Sequence, residues 1–163
     1  NQGNYLHGLK DIEHKSDFCI GVAGYPEKHL ESPSLTYDLK RLKEKVDAGA
    51  DYVVTQMFFD NSKYFEFVEK ARAMGITIPI IPVIKPIAVK KHMQLLPQVF
   101  RVDLPEDLIS AIEKSTSAAE VKAVGIEWAI QQSLELKKAG VPVLHYYSMG
   151  KSENIRQIAK AVF

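Results

Sequence analysis

Four apolar runs punctuate the chain, at residues 18–25, 52–58, 78–84 and 141–147. They are rich in Val, Ile and aromatic residues, and each stops at a cluster of polar and aromatic side chains. Continuous runs of this kind mark parallel strands covered on both faces. Helical spacing fills the intervals. Leu35, Leu39, Leu42 and Val46 predict a helix over 35–47, with Gly49 as its stop. Asn61 or Ser62 can cap a second helix carrying Phe65, Val68 and Ala71 and ending at Gly75. A shorter helix is predicted over 88–96, halted before Pro97, and another over 106–114 with Pro105 at its first turn. A long helix over 118–139 uses Val121, Val124, Trp128, Ile130 and Leu134 as its apolar surface, and a last one covers 152–162. Residues 1–17 carry only a weak pattern.

The order is strand, helix, strand, helix, strand, helices, strand. This is an α/β arrangement of four parallel strands with helical crossovers. Four such units are too few to close an eight-stranded barrel, which takes about 250 residues. Residues 1–163 are therefore expected to be a single partial domain, either a small open sheet or, as we prefer, the second half of a larger barrel. Function in such folds gathers where strands end and loops begin. Tyr25, His29, Gln56, Lys85 and Tyr147 stand at those ends.

Composition narrows the classes. With 46% hydrophobic and 25% charged residues the chain is ordinary globular material. A formal net charge of +1 gives no footprint for nucleic acid or for an anionic membrane surface. No apolar run approaches the roughly 20 residues of a membrane span, and no signal peptide is visible. The one cysteine, Cys19, lies in an apolar run and is expected to be a buried small hydrophobe. These features point to a soluble protein of a reducing compartment, the cytoplasm. No metal site is expected.

Three constellations carry candidate chemistry. On the first helix, Asp38, Arg41 and Lys45 are spaced three and four apart and share one stripe. A carboxylate can accept from ribose hydroxyls, and the two cations can meet a pyrophosphate; a solvated face of local ion pairs is the simpler account. Gly24-Tyr25-Pro26-Glu27-Lys28-His29 leaves the first strand, and Pro26 forces Tyr25 into an extended conformation. Tyr25 and His29 could offer surfaces to a planar ligand. Gln56 ends an otherwise apolar strand, and its amide both donates and accepts, so it could serve two polar ligands in turn or simply bond a neighbouring strand.

Two strings, GYPEKH (24–29) and KVDAGADYVVTQMFFD (45–60), together with IIPVIKPI (80–87) and HYYSMGK (145–151), resemble the methylenetetrahydrofolate reductases. The resemblance runs from about Phe18 to the C-terminus. It implies the C-terminal half of a (β/α)8 TIM barrel, strand–helix units five to eight, with the N-terminal half absent from this chain. It further implies FAD-dependent reduction of 5,10-methylenetetrahydrofolate to 5-methyltetrahydrofolate with NAD(P)H, feeding methionine synthesis. Carried over by position, the resemblance sets FAD against Ala23, Tyr25, His29, Asp38, Arg41 and Lys45. It makes Gln56 a contact of both nicotinamide and pterin, and Tyr147 a neighbour of the folate ring system. Leu96 stands where some members have a stacking Phe, His92 where some have a folate-contacting Gln, and Glu44 where some have a basic residue. Gly150-Lys151 replaces an Asn-Arg pair, so that Lys151 could meet a folate carboxylate as a point charge. The family's proton-donating glutamate and ring-proximal aspartate belong to the first and fourth strands, outside this chain, so no catalytic residue is assigned here.

Two rival readings accompany this one. Lys85, at a strand end, could be the nucleophile of a Schiff-base enzyme on the same barrel. Alternatively the chain could be a non-catalytic half-barrel. Half a barrel exposes two strand edges and an unfilled interior, so a homo-oligomer is expected.

Overall fold

The structure, a computed structural model, describes residues 17–150 and 152–163. Strands β1 (Gly21–Gly24), β2 (Tyr52–Met57), β3 (Ile80–Ile84) and β4 (His145–Tyr146) pair in parallel, in sequence order. The helices are α1 (Leu35–Asp47), α2 (Asn61–Ala73), α3 (His92–Phe100), α4 (Glu106–Lys114), α5 (Ala118–Lys138) and α6 (Ser152–Val162). The expected α/β alternation is present. If this sheet were flat, β1 and β4 would lie about 14 Å apart, three strand spacings. Instead Tyr25, past the end of β1, and Tyr147, past the end of β4, line one hollow of about 310 Å³ together with Tyr52, Val54 and Gln56 of β2. The sheet is curled, as in a part of a barrel.

Local chemistry explains most boundaries. Ser34 and Ser117 accept hydrogen bonds from Tyr37 N–H and Glu120 N–H and so cap α1 and α5. Gly75 and Gly140, past α2 and α5, take φ of 76° and 83°, a region open to glycine without strain.

Four expectations need correction. The cap of α2 is Asp60, which accepts from Ser62 N–H at 2.8 Å; Asn61 is instead buried and bonded to α5. Helix α3 runs over His92–Phe100 with Pro97 inside it. A proline there forgoes the bond to the carbonyl of Met93 and crowds that carbonyl. Burial of Leu96 and packing of Met93 hold the helix until Arg101 turns left-handed at φ 56°. The apolar run at 18–25 yields strand only from Gly21, and Cys19 is exposed rather than buried, because among the described residues no strand pairs with the outer edge of β1. The last run yields a strand of just two residues.

The helices cover the convex side through two clusters. One gathers Leu39, Leu42, Val53, Phe58, Phe67, Ile84, Leu136 and Ile158 against the lower sheet. The other gathers Met57, Phe59, Val83, Ile87, Leu96, Leu108, Ile112 and Val121 beneath the strand ends. A buried residue of this size contributes about 1.5–3 kcal/mol. Burial of Ile158 and Val162 on α6 therefore outweighs the two-residue pairing of β4 in holding the last unit.

Helix α5 spans both clusters. At Gly125 it presses so close to the chain after β3 that an added Cβ would sit 1.9 Å from the Ile87 carbonyl oxygen. Trp128 Nε1 donates to Phe59 O at 2.9 Å and Gln132 Nε2 to Phe58 O at 3.2 Å. The carbonyls just past β2 are thus satisfied from one helix, and the strand ends are fixed by it.

Candidate functional site

The site begins with an irregularity in β2. Its register with β3 shifts between Val54 and Met57, and Thr55 Oγ1 fills the ladder by accepting from Val83 N–H at 3.1 Å. Such interruptions re-aim side chains. Gln56 folds onto its own strand, its Oε1 accepting from Met57 N–H at 2.9 Å. Because that partner is a donor, the amide orientation is settled: oxygen toward the backbone, NH₂ left for another acceptor. Gln56 lies at the junction of three hollows.

The largest is a cleft of about 730 Å³ at the strand ends. Gln56, Lys85, His92, Leu96 and Tyr147 all line it, brought from four separate segments. His92 Nδ1 accepts from Ala88 N–H at 3.3 Å, which leaves the ring proton on Nε2. Burial, and then the Lys85 charge, push the His92 pKa down. Lys85 is 8% exposed, and burial pushes its ammonium pKa down as well. Tyr147 N–H donates to Ile84 O at 3.0 Å, extending the β4 pairing and fixing its backbone. Leu96 is the buried residue of α3. Lys151 lies outside the described residues.

The expected cofactor-side residues form a second group. The Tyr25 and His29 rings meet edge to face, with centroids 4.6 Å apart. Asp38 accepts from His29 N–H at 2.9 Å, and Lys45 Nζ donates to Ala23 O at 3.1 Å, so α1 clamps the β1 loop. Desolvation, then Asp38 and Tyr147, push the Tyr25 hydroxyl pKa up. Arg41 departs from the shared stripe. It pairs with Glu44 at 2.7 Å and lies over the Tyr37 ring at 4.9 Å. Beside Tyr25, His29 and Gln56 a hollow of about 330 Å³ remains open.

Two features escape sequence reasoning. Leu95, Val99 and Phe100 line the cleft and are exposed, as are Val89 and Met149. The four-residue step from Leu95 to Val99 was a readable signal for a second apolar face on α3. Glu27 is the other. Its Oε1 accepts from Asp103 N–H at 3.0 Å while its Oε2 is buried without a partner among the described residues. Burial foremost, with the charges of Asp103 and Asp60, pushes its pKa up to about 7 against the lowering by that hydrogen bond. The Asp103 partner is 76 positions away, so no local pattern announces it. Glu27 lines a separate hollow with Lys28, His29, Leu30, Arg101 and Asp103 and shares no lining residue with the cleft.

The described residues include no helix long and apolar enough to cross a membrane. Comparison with known proteins gives a consistent likeness. The sequence profile of the family described as "Methylenetetrahydrofolate reductase" matches residues 6–162. The "Probable methylenetetrahydrofolate reductase (NADPH)" of Caenorhabditis elegans is 36% identical over 152 residues, 92% of this chain and 23% of that protein. The "Methylenetetrahydrofolate reductase (NADH) 1" of Arabidopsis thaliana is 39% identical over 142 residues, covering 81% of this chain and 24% of the relative. The "5,10-methylenetetrahydrofolate reductase" of Escherichia coli is 36% identical over 146 residues, 89% of this chain and 48% of its own length. The chain thus spans 23% to 48% of the length of these relatives. Among solved structures, an uncharacterized Clostridium thermocellum protein that binds two copies of 5-methyl-5,6,7,8-tetrahydrofolic acid superposes with a TM-score of 0.62 at 19% identity, covering 89% of this chain and 52% of that one. At that identity the likeness speaks for the fold.

Proposed function

The chain belongs to the methylenetetrahydrofolate reductase family, and we propose that residues 1–163 are strand–helix units five to eight of a flavin-binding barrel that reduces 5,10-methylenetetrahydrofolate to 5-methyltetrahydrofolate with a nicotinamide nucleotide. The observation that carries this reading is the convergence of Gln56, Lys85, His92, Leu96 and Tyr147 on one cleft at the C-terminal ends of parallel strands. A barrel of this class does its chemistry at that end.

The residues present fit FAD. An open hollow lies beside the Tyr25 and His29 rings, and the Lys45 ammonium and the Asp38 carboxylate stand on the helix that clamps the same loop. Lys45 suits a pyrophosphate oxygen and Asp38 a ribose hydroxyl. When bound, the flavin supplies the hydride chemistry. The chain's own work is placement. Tyr25 and His29 hold the mouth of the strand end. Gln56 offers one NH₂ to whichever ring occupies the cleft, nicotinamide or pterin in turn. Leu96, Val99 and Phe100 exclude water from its apolar face, and Tyr147 closes the far side. Holding two rings in attack geometry is worth several kcal/mol of barrier. The proton donor belongs to the other half of the barrel.

The deciding experiment is an anaerobic absorption titration of the full-length protein. Flavin bands should be present, bleach with NADH or NADPH, and return on addition of methylenetetrahydrofolate. A colourless protein, or a reduced one that methylenetetrahydrofolate leaves bleached, would end the reading.

A further inference from the structure

Three of the polar groups on the cleft walls present donors. Gln56 has committed its carbonyl oxygen to Met57 N–H and keeps an NH₂. His92 has committed Nδ1 to Ala88 N–H and keeps Nε2–H. Lys85 brings an ammonium, which has three donors and no acceptor. Lys85 is 8% exposed and lines the cleft beside Pro86, and among the described residues its ammonium makes no hydrogen bond or ion pair. A cation in such a place costs free energy when nothing faces it. The fold itself gains nothing from the charge, since an unbranched apolar side chain would fill the same space. Tyr147, Ser148 and Asn154 add groups that can also accept, and most of the rest of the wall, Val89, Leu95, Leu96, Val99, Phe100 and Met149 among it, is apolar. That combination suits a flat, largely uncharged ring with electron-rich edges better than a phosphate or a hydrated anion.

We propose that Lys85 is a substrate-contacting residue whose ammonium donates to a carbonyl oxygen of the planar heterocycle occupying the cleft. The proposal rests on the reductase reading above and deepens it. A carbonyl of this kind has two sources there, the pterin ring of the folate and the carboxamide of the nicotinamide. An ammonium–carbonyl bond there is charge-assisted and orients the ring. Gln56 holds a second edge of the same ring, so Lys85 and Gln56 together fix its rotation in the plane.

The test uses the full-length, flavin-loaded protein as wild type, Lys85→Met and Lys85→Gln. Calorimetry measures 5-methyltetrahydrofolate binding, and the saturation of flavin bleaching measures NADH. Met matches the length of the buried stem without the charge, so flavin content should stay at the wild-type value and the melting temperature at or above it. Binding of at least one probe should weaken by roughly tenfold or more in Lys85→Met, the loss of one charge-assisted bond. The probe that weakens names the source of the carbonyl. Lys85→Gln, which keeps a donor on a shorter stem, should recover part of the loss. Unchanged affinity for both probes in Lys85→Met overturns the proposal while leaving the reductase reading intact. So does borohydride reduction of a carbonyl compound onto Lys85, which would make it a nucleophile. A wild type that binds neither probe removes the reductase reading first and this inference with it.

Discussion

Gln56 illustrates how a single side chain can serve the backbone with one atom and a ligand with another. Its oxygen seals the β2 irregularity at Met57 N–H, so Gln56→Glu keeps that acceptor and removes only the ligand-facing donor. Stability should change by less than about 1 kcal/mol and flavin content not at all. Folate affinity should fall by roughly ten- to a hundredfold, the cost of one lost hydrogen bond and an unmatched carboxylate. Wild-type rates in both half-reactions, measured separately by stopped flow, would remove Gln56 from the ligand's contacts. Glu27 makes the complementary case, a carboxyl whose effect is felt in stability. Its folded pKa of about 7 exceeds the ordinary 4.5, so the folded state holds its proton more tightly. The associated stability is full below about pH 4.5 and is lost as pH rises through about 7. For a carboxyl partly open to solvent the swing is about 1–2 kcal/mol. Glu27→Gln should flatten the melting temperature across that window; a slope equal to wild type would mean that other groups set it. Gln56 was legible because an amide ending an apolar strand must find partners. Glu27 was not, because its burial depends on a loop far along the chain.

Helix boundaries followed from local chemistry for most of the helices. Helices α1, α4 and α6 match their predicted spans, and α5 does so to within a residue. The failures share one cause, tertiary packing overriding a local signal. Pro97 reads as a stop, yet burial of Leu96 carries α3 past it. Asn61 reads as a cap, yet it is drawn into a buried knot with Gln132 and Glu135 of α5. Helix α5 is also where the elements are most tightly interlocked. Gly125→Ala would force a methyl into the Ile87 carbonyl, and no flexible side chain can yield there. The loss should be on the order of 3 kcal/mol or more, at the upper end of overpacking penalties. Chemical denaturation of the variant measures it, and a loss below about 1 kcal/mol would show that α5 can slide away from the β3 end. Because Lys85 lies two residues before Ile87, even a folded variant should bind ligand poorly.

At the scale of the molecule the curled sheet ends, among the described residues, on two unpaired edges, β1 and β4, with Phe18 75% and Met149 74% exposed near them. Unpaired edges and open apolar surface invite association. The isolated 163-residue segment should sediment as more than a monomer and should not turn over methylenetetrahydrofolate, since the reading proposed above puts the proton donor on the other half. Turnover by the segment alone would contradict the half-barrel account. The four-unit alternation made this partial architecture legible in the sequence; the curl was not, because strand curvature leaves no periodic trace. The exposed thiol of Cys19 gives that missing information a physical form. It is the chain's only cysteine, and it stands just ahead of the bare edge of β1. The protein thus carries a built-in gauge of closure. A thiol dye should mark the segment rapidly and stoichiometrically, whereas in a longer chain whose first half zips onto β1 the same atom should fall silent, and its labelling rate would read how often the barrel gapes.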